Sequence, residues 1–216
     1  MAVQSNDIGF ASVGVSCQAT HQMENQLALI GELAGGALRR FRTPFDWIVC
    51  PARGAARMIQ AWRFHPDDVS ELSLDDEAPY WSWAECWFWH DAAHLQAGDF
   101  VARQAHFTTN FARLRQMRRQ VFILSNTQTN LDRIKQSVRR PLDYDFNDED
   151  VEAVESALQA QFPNAELWVM ALKGRHVLKR RKDHPRTIEF APHSGKWKGD
   201  FEQWEAAFRR MLAPED

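Results

Sequence analysis

Apolar and polar positions change spacing repeatedly along the chain, and the first change predicts a strand followed by a helix. Residues Ile8–Val15 (IGFASVGV) are a short, mostly apolar run that ends at Ser16. Apolar residues then recur at helical spacing, at Met23, Leu27, Ile30 and Ala34. We expect Ser16 to cap this helix and Gly35-Gly36 to end it, so that Cys17 lies in its first turn.

The next fifty positions predict less regular structure. Residues 41–50 (FRTPFDWIVC) contain a proline, which favours a buried loop or short strand over a central strand. Pro51 suits the first position of a helix that carries Met58, Ile59 and Trp62. Residues 64–79 are acidic and without periodicity, as is typical of a long surface loop.

Residues 81–89 (WSWAECWFW) alternate with a period of two, which predicts a single strand. One side of that strand would carry four tryptophans, Trp81, Trp83, Trp87 and Trp89. The other side would carry Ala84, Cys86, Phe88 and then His90. This interpretation places His90 at the end of an apolar strand.

The second half of the chain alternates plainly between helix and strand. Helices are predicted at Phe100–Leu114, at Leu131–Val138 before Pro141, after the cap Asn147, and at Phe201–Leu212. Apolar strands are predicted at 121–125 (VFILS), 166–172 (ELWVMAL) and 186–190 (RTIEF). The whole pattern over residues 1–216 predicts a single α/β domain, with a mixed, largely parallel central sheet flanked by helices.

Composition places the chain among ordinary globular proteins. The 216 residues are 44% hydrophobic and 25% charged, and the net charge of −3 provides no general attraction to nucleic acid or anionic membranes. Three cysteines at unrelated spacings match neither a disulfide framework nor a CxxC metal site, which indicates a reducing compartment. The N-terminal residues lack the pattern of a secretory signal, and no apolar run reaches the length of a membrane span, so we expect a cytoplasmic protein.

Cys17 is the strongest candidate for chemistry. A thiol at the start of a helix lies near the positive end of the helix dipole, which lowers the pKa of the thiol. The backbone N–H groups of Ser16, Cys17 and Gln18 could also bind an oxyanion. A helix start at this cysteine would therefore combine a nucleophile with stabilisation of the transition state.

A nucleophilic thiol needs a base, and His90 is the histidine that the predicted strand would hold most rigidly. A group that orients the imidazole could be Asn126, which directly follows the buried strand 121–125, or Asp46 in the PFDW segment. Asp91 is a weaker alternative because neighbouring residues on a strand point to opposite faces. Cys86, four residues along the predicted strand from His90, is too far to serve as the nucleophile.

Four short segments resemble a bacterial family of papain-like cysteine peptidases. They read GVSC at 14 to 17, TPFDWIV at 43 to 49, FWHD at 88 to 91 and VFILSN at 121 to 126, and they span about residues 8–130. The resemblance implies a Cys17 nucleophile and a His90 base, acting on a peptide, amide or thioester substrate without a cofactor. The alternation of helix and strand is nevertheless more typical of a doubly wound sheet than of papain's two lobes.

Three other hypotheses compete with a thiol enzyme. His90 and His94 have the spacing of an HExxH zinc motif, but Asp91 replaces the glutamate and a third ligand is not evident, so we expect no metal. The basic stretch 173–186 (KGRHVLKRRKDHPR) lacks interleaved aromatic residues and is more typical of a solvated turn than of a nucleic-acid site. The main alternative is a non-catalytic binding domain that recognises a glycan or an anionic partner.

Overall fold

The computed structural model describes residues 7–35, 38–74, 78–140, 142–193 and 197–213, apart from the side chains of Ile134 and Ser137. The strands in chain order are β1 Ile8–Val15, β2 Leu38–Arg40, β3 Leu72–Ser73, β4 Tyr80–Trp81, β5 Cys86–Trp87, β6 Arg119–Ser125, β7 Ala165–Leu172 and β8 Thr187–Phe190. The α-helices are α1 Gln18–Asn25, α2 Leu27–Leu33, α3 Ala52–Ala61, α4 Ala92–Ala97, α5 Phe100–Arg113, α6 Leu131–Ser137, α7 Asp148–Gln161 and α8 Phe201–Met211.

A five-stranded parallel sheet forms the centre of the molecule, in the order β2-β1-β6-β7-β8. The predicted α/β class is confirmed, and every pairing in this sheet is parallel. The chain leaves β1 toward β2 on one side and later returns to β6 on the other side. Strand order therefore reverses between β1 and β6, and in such sheets ligands bind beyond the carboxyl ends of the strands at this point.

Helices cover both faces of the sheet because its strands are apolar on both sides. In β6, Phe122 and Leu124 join one core, and Val121 and Ile123 join the other. Helices α3 and α7 pack against each other over the first face. Helix α1 packs on β1 and β6 over the second face, together with α2 and α8. Burial on both faces explains the continuous apolar runs of β1, β6 and β7.

The helix expected after β1 is divided in two. Gln26 separates α1 from α2, with φ −109° and ψ 20°, outside the helical region. Cys17, and not Ser16, is the N-cap residue of α1, so the helix begins one residue later than expected. The Ser16 hydroxyl is buried and has no hydrogen-bond partner among the described residues. Gly35 follows α2 with a positive φ of 65°, and Gly36 lies outside the described residues, as does Pro141 after α6.

The prediction of one long tryptophan strand was wrong. Strands β4 and β5 form a hairpin around the turn Ser82–Glu85, and Glu85 has a φ of 55°. Strand β3 joins this hairpin as a third antiparallel strand. The expected surface loop at 64–79 therefore contains β3 and a short 3-10 helix, Val69–Glu71, in its described part. As a result, His90 lies in the turn between β5 and α4, not on a strand.

Candidate functional site

A cleft of about 230 Å³ lies beyond the carboxyl ends of β1 and β6, at the reversal of strand order. Cys17 follows β1 directly, and the segment 126–130 follows β6. The lining also includes residues from the β5–α4 turn and from the segment before α8. The lining residues are Cys17, Val49, Trp89, His90, Gln128, Asn130 and Trp197. Cys17 and His90, which are distant in sequence, therefore share one cleft.

Cys17 lines this cleft but is mostly covered, with 7% of its surface exposed. It caps α1 without a side-chain capping bond, and the first N–H groups of a helix have no partner within the helix. The expected lowering of its pKa is wrong: burial raises the pKa of the Cys17 thiol to about 11, and a backbone hydrogen bond opposes this only in part. The resting thiol is therefore neutral at pH 7, because desolvation outweighs the dipole of a two-turn helix.

One glutamine and one threonine side chain connect the start of α1 to the loop after β6. The Thr127 hydroxyl donates to the side-chain carbonyl oxygen of Gln18. Gln18 in turn donates from Nε2 to the carbonyl oxygen of Trp197, over 2.7 Å. Gln18, expected only as a backbone donor, thus joins three lining segments of the cleft through its side chain.

A row of glutamines along α1 and at its C-cap holds the segment that leads into α8. Gln18, Gln22 and Gln26 are four residues apart and donate to the carbonyl oxygens of Trp197, Lys198 and Phe201 respectively. Gly199 makes the close approach feasible, because it has a φ of 86° and a Cβ there would lie 2.9 Å from Gln18 Cδ. These bonds place the Trp197 ring at the cleft, where it also packs against His21 in a tilted arrangement, with 4.6 Å between the ring centroids and 49° between the planes.

His90 lines the same cleft and is exposed. The edge of its ring faces Trp47 of the PFDW segment, with 5.3 Å between the centroids and 77° between the planes. Loss of water around the ring lowers the pKa of His90, against the opposite effect of the Asp91 carboxylate. The imidazole is therefore neutral at pH 7. Among the described residues, neither the Cys17 sulfur nor another group hydrogen-bonds this ring.

Asp91 is fixed in place by helix α5. Its carboxylate accepts hydrogen bonds from Arg103 Nε at 3.3 Å and from Gln104 Nε2 at 3.0 Å. Burial raises the pKa of Asp91, and the nearby Arg103 guanidinium opposes that rise. These bonds fix the turn that carries His90, so Asp91 positions the histidine through the backbone.

The structure does not bring Asn126 to the imidazole. Its side chain is completely buried at the end of β6. The Asn126 carbonyl oxygen accepts from the backbone N–H of Leu172 at 2.9 Å, and its amide group donates to the carbonyl oxygen of Arg175 at 3.3 Å. Both halves of the amide are thus engaged by backbone, and Asn126 joins the ends of β6 and β7.

Asp46 also has a different place from the one expected. Its buried carboxylate accepts from the hydroxyls of Thr20 and Thr43, from the Thr43 backbone N–H, and from Arg40 at 2.8 Å. These partners connect α1, β2 and the PFDW segment. Asp46 therefore stabilises the packing of these three segments. Trp47, the next residue in the same motif, contacts His90.

The other two cysteines are inaccessible. Cys50 and Cys86 are both completely buried in the first core, and Cys86 belongs to β5. Burial raises the pKa of the Cys50 thiol well above its usual value. Only Cys17 of the three lines the cleft.

The two histidines of the HDAAH segment make separate contacts. His94 lies in α4 and pairs with Asp99 at 3.0 Å, whereas His90 precedes the helix. A group of three or more His, Cys, Asp or Glu side chains arranged for a metal is absent from the described residues.

The basic stretch 173–186 connects β7 to β8 and is bound to the acidic start of α7. The backbone N–H groups of Lys179, Arg180 and Arg181 all donate to the Asp148 carboxylate. Arg180 also pairs with Glu152, and Arg181 with Glu155. Much of this positive charge is therefore balanced within the chain.

Sequence reasoning missed five lining residues, Val49, Trp89, Gln128, Asn130 and Trp197. A signal for two of them was present, because the polar run NTQTN at 126–130 follows a buried strand, where parallel sheets place ligand-binding loops. Val49 and Trp197 carry no such signal, since they reach the cleft only through tertiary contacts.

Comparison of the chain with protein-family models, with curated proteins and with solved structures finds no match. The papain-like resemblance of the four segments thus stays a prediction from the sequence. Across the part of the chain that the structure describes, every helix is too short or too polar to span a bilayer.

Proposed function

We propose that this protein is a thiol hydrolase or acyltransferase, with Cys17 as the nucleophile and His90 as the base. The observation that carries the proposal is that Cys17 and His90 both line one cleft at the reversal of strand order. Two supports are independent of the sequence motifs. The helix start beside Cys17 leaves N–H groups free to bind an oxyanion, and the His90 imidazole is neutral, as a base must be.

The protonation states favour general-base catalysis over a thiolate formed in advance. His90 would take the thiol proton as Cys17 Sγ bonds to the substrate carbonyl carbon, while the carbonyl π electrons move to the oxygen. Free N–H groups at the start of α1 would stabilise that oxyanion. The carbonyl then re-forms, and the leaving group departs with the proton from the imidazolium. Water, or another acceptor, attacks the resulting thioester in the same way and restores the thiol.

p-Nitrophenyl acetate is a suitable probe, because its activated ester transfers an acetyl group to a nucleophile without specific recognition. We expect one equivalent of nitrophenolate to be released rapidly, with an acetyl group on Cys17 shown by peptide mass spectrometry. Cys17→Ala should abolish this burst. His90→Ala should slow it by about a hundredfold or more, the usual contribution of general-base catalysis.

His94→Ala is the matched control, since His94 is nearby but does not line the cleft. This variant should react at the wild-type rate. Acetylation that is equally fast in His90→Ala would contradict the base. A wild-type protein without acetylated Cys17 would instead favour a non-catalytic binding domain with a cleft walled by Trp89 and Trp197.

A further inference from the structure

Gln128 has an unsatisfied polar group at the cleft. The residue is buried, with 3% of its surface exposed, and it lines the cleft together with Cys17. The side-chain Nε2 of Gln128 donates to the side-chain oxygen of Asn130 at 2.8 Å. The side-chain oxygen of Gln128, Oε1, is buried without a partner in the described part of the chain. A buried acceptor without a donor is unfavourable, so a ligand that supplies the donor would relieve this cost.

Asn130 complements Gln128. Its side-chain oxygen is engaged by Gln128, and its amide nitrogen makes no hydrogen bond among the described residues. The pair therefore has one acceptor and one N–H donor group without a hydrogen-bond partner among the described residues. This remains true if both amides are assigned in the opposite orientation, because one N–H···O bond between two amides always leaves one acceptor and one donor group.

The backbone that carries this pair is held firmly. Arg175 donates to the backbone carbonyl oxygen of Gln128 at 2.9 Å and is ion-paired with Asp132. On the other side, Thr127 donates to Gln18, the residue next to Cys17. The amide pair is thus fixed relative to the sulfur and does not need to be ordered by a ligand.

The remaining lining selects against charged ligands. Apart from the neutral His90, the other described walls are Val49, Trp89, Trp197 and Cys17, and Lys, Arg, Asp and Glu are absent from the lining residues that the structure describes. A ligand group that complements this lining needs one N–H donor, one carbonyl acceptor and no charge. A neutral carboxamide has all three properties.

We propose that Gln128 and Asn130 are specificity-determining residues that recognise a primary or secondary carboxamide beside the atom that Cys17 attacks. The inference rests on the proposed role of Cys17 as the reacting nucleophile. It excludes simple esters as the preferred class, because an ester has no N–H for the Gln128 oxygen.

Alkylating reagents test this recognition without a known substrate. With iodoacetamide, the Cys17 sulfur bonds to the methylene carbon as iodide leaves, and the thiol proton passes to buffer. The carboxamide of the reagent is attached to that methylene carbon. Methyl iodoacetate and 2-iodo-N,N-dimethylacetamide undergo the same displacement but have no N–H. Rates at Cys17 are measured at pH 8.5 by peptide mass spectrometry and divided by the rates with glutathione.

We expect a corrected preference of about tenfold for iodoacetamide over both analogues, as one added hydrogen bond to a buried acceptor provides. Gln128→Met, which keeps the length of the side chain, should reduce the preference to about one. Gln60→Met is the control, because Gln60 is an exposed residue of α3 away from the cleft, and it should keep the full preference.

Equal corrected rates for the three reagents in the wild-type protein would overturn the proposal, and this comparison needs no variant to fold. A preference that persists in folded Gln128→Met would also overturn it. Neither result depends on catalysis, since alkylation requires no His90. The two proposals can also fail separately. If the carboxamide preference is found but His90→Ala does not slow acetylation, the recognition by Gln128 and Asn130 stands and the proposed role of His90 as the base falls.

Discussion

Burial and the start of a helix act on the Cys17 thiol in opposite directions. A helix dipole lowers the pKa of a nearby thiol, but the pKa of Cys17 is raised to about 11 because the residue is surrounded by protein. The sequence shows the helix start and not the amount of water around the sulfur. In the mechanism we propose, proton transfer to the neutral His90 makes the sulfur reactive.

The pH dependence of alkylation tests this protonation state. Because only the thiolate reacts, the rate of Cys17 modification by iodoacetamide should rise about tenfold per pH unit from pH 6 to pH 9 without levelling. The rate is followed by mass spectrometry of the Cys17 peptide. Buried Cys50 and Cys86 should remain unmodified in the folded protein and act as internal controls. A plateau near pH 7 would indicate a thiolate–imidazolium pair and would contradict the neutral thiol.

At the scale of elements, the β4–β5 hairpin shows how a tertiary contact overrides a periodic pattern. The turn residues SWAE contain no Gly, Pro, Asn or Asp, so the local sequence gives no sign of a turn. Pairing of Trp87 with Val49, through two backbone hydrogen bonds of 2.8 and 3.0 Å, determines where β5 lies. The turn then rests against helix α3 at Gly54.

Gly54→Ala tests this contact. A Cβ at Gly54 would lie 2.0 Å from the carbonyl oxygen of Ala84 and 3.1 Å from Cys50 Sγ. Since backbone must move to admit it, we expect a loss of about 2 kcal/mol or more in the free energy of unfolding, measured in urea.

Gly31→Ala is the matched control for that substitution. Gly31 lies in α2, and a Cβ there would meet nothing within 4 Å. Because alanine favours a helix over glycine, this variant should gain up to about 1 kcal/mol. A Gly54→Ala protein as stable as Gly31→Ala would contradict the tight contact between α3 and the hairpin.

At the scale of the whole molecule, the strand order determines where the cleft lies, and contacts with α7 determine how much of the positive charge of the β7–β8 connection is balanced. The reversal between β1 and β6 opens the cleft, and the basic connection is bound to α7 by Asp148. Although burial opposes it, hydrogen bonds from three backbone N–H groups lower the pKa of Asp148. A carboxyl group with a lowered pKa stabilises the fold above its unfolded pKa, and this contribution is lost as pH falls through the folded value.

Asp148→Asn should therefore destabilise the protein at pH 7 by about 2 kcal/mol, because the charged acceptor of three N–H groups is removed. The difference from wild type should shrink as pH falls below the unfolded pKa of about 4 and toward the lowered folded pKa, because the wild-type carboxylate becomes protonated there. Urea unfolding at pH 7 and pH 3 measures both values. An equal difference at the two pH values would contradict a role for the charge.

The order of helices and strands follows from the sequence alone, because burial on one face or two produces a periodicity that each segment carries by itself. This explains why α5, α7, α8, β6, β7 and the Asn147 cap were predicted within a few residues. It also explains why Cys17 could be recognised at the junction of β1 and a helix. Such features depend on neighbours a few positions away.

The cleft and its chemistry depend on contacts between distant segments, which only the tertiary structure determines. Asp46 and Asn126 have the right chemistry to orient an imidazole, but their hydrogen bonds go to Thr43 and Leu172 instead. The neutral state of the Cys17 thiol likewise results from packing around it. Local pattern determines what each segment is, whereas desolvation and long-range hydrogen bonds determine which side chains meet and how they ionise.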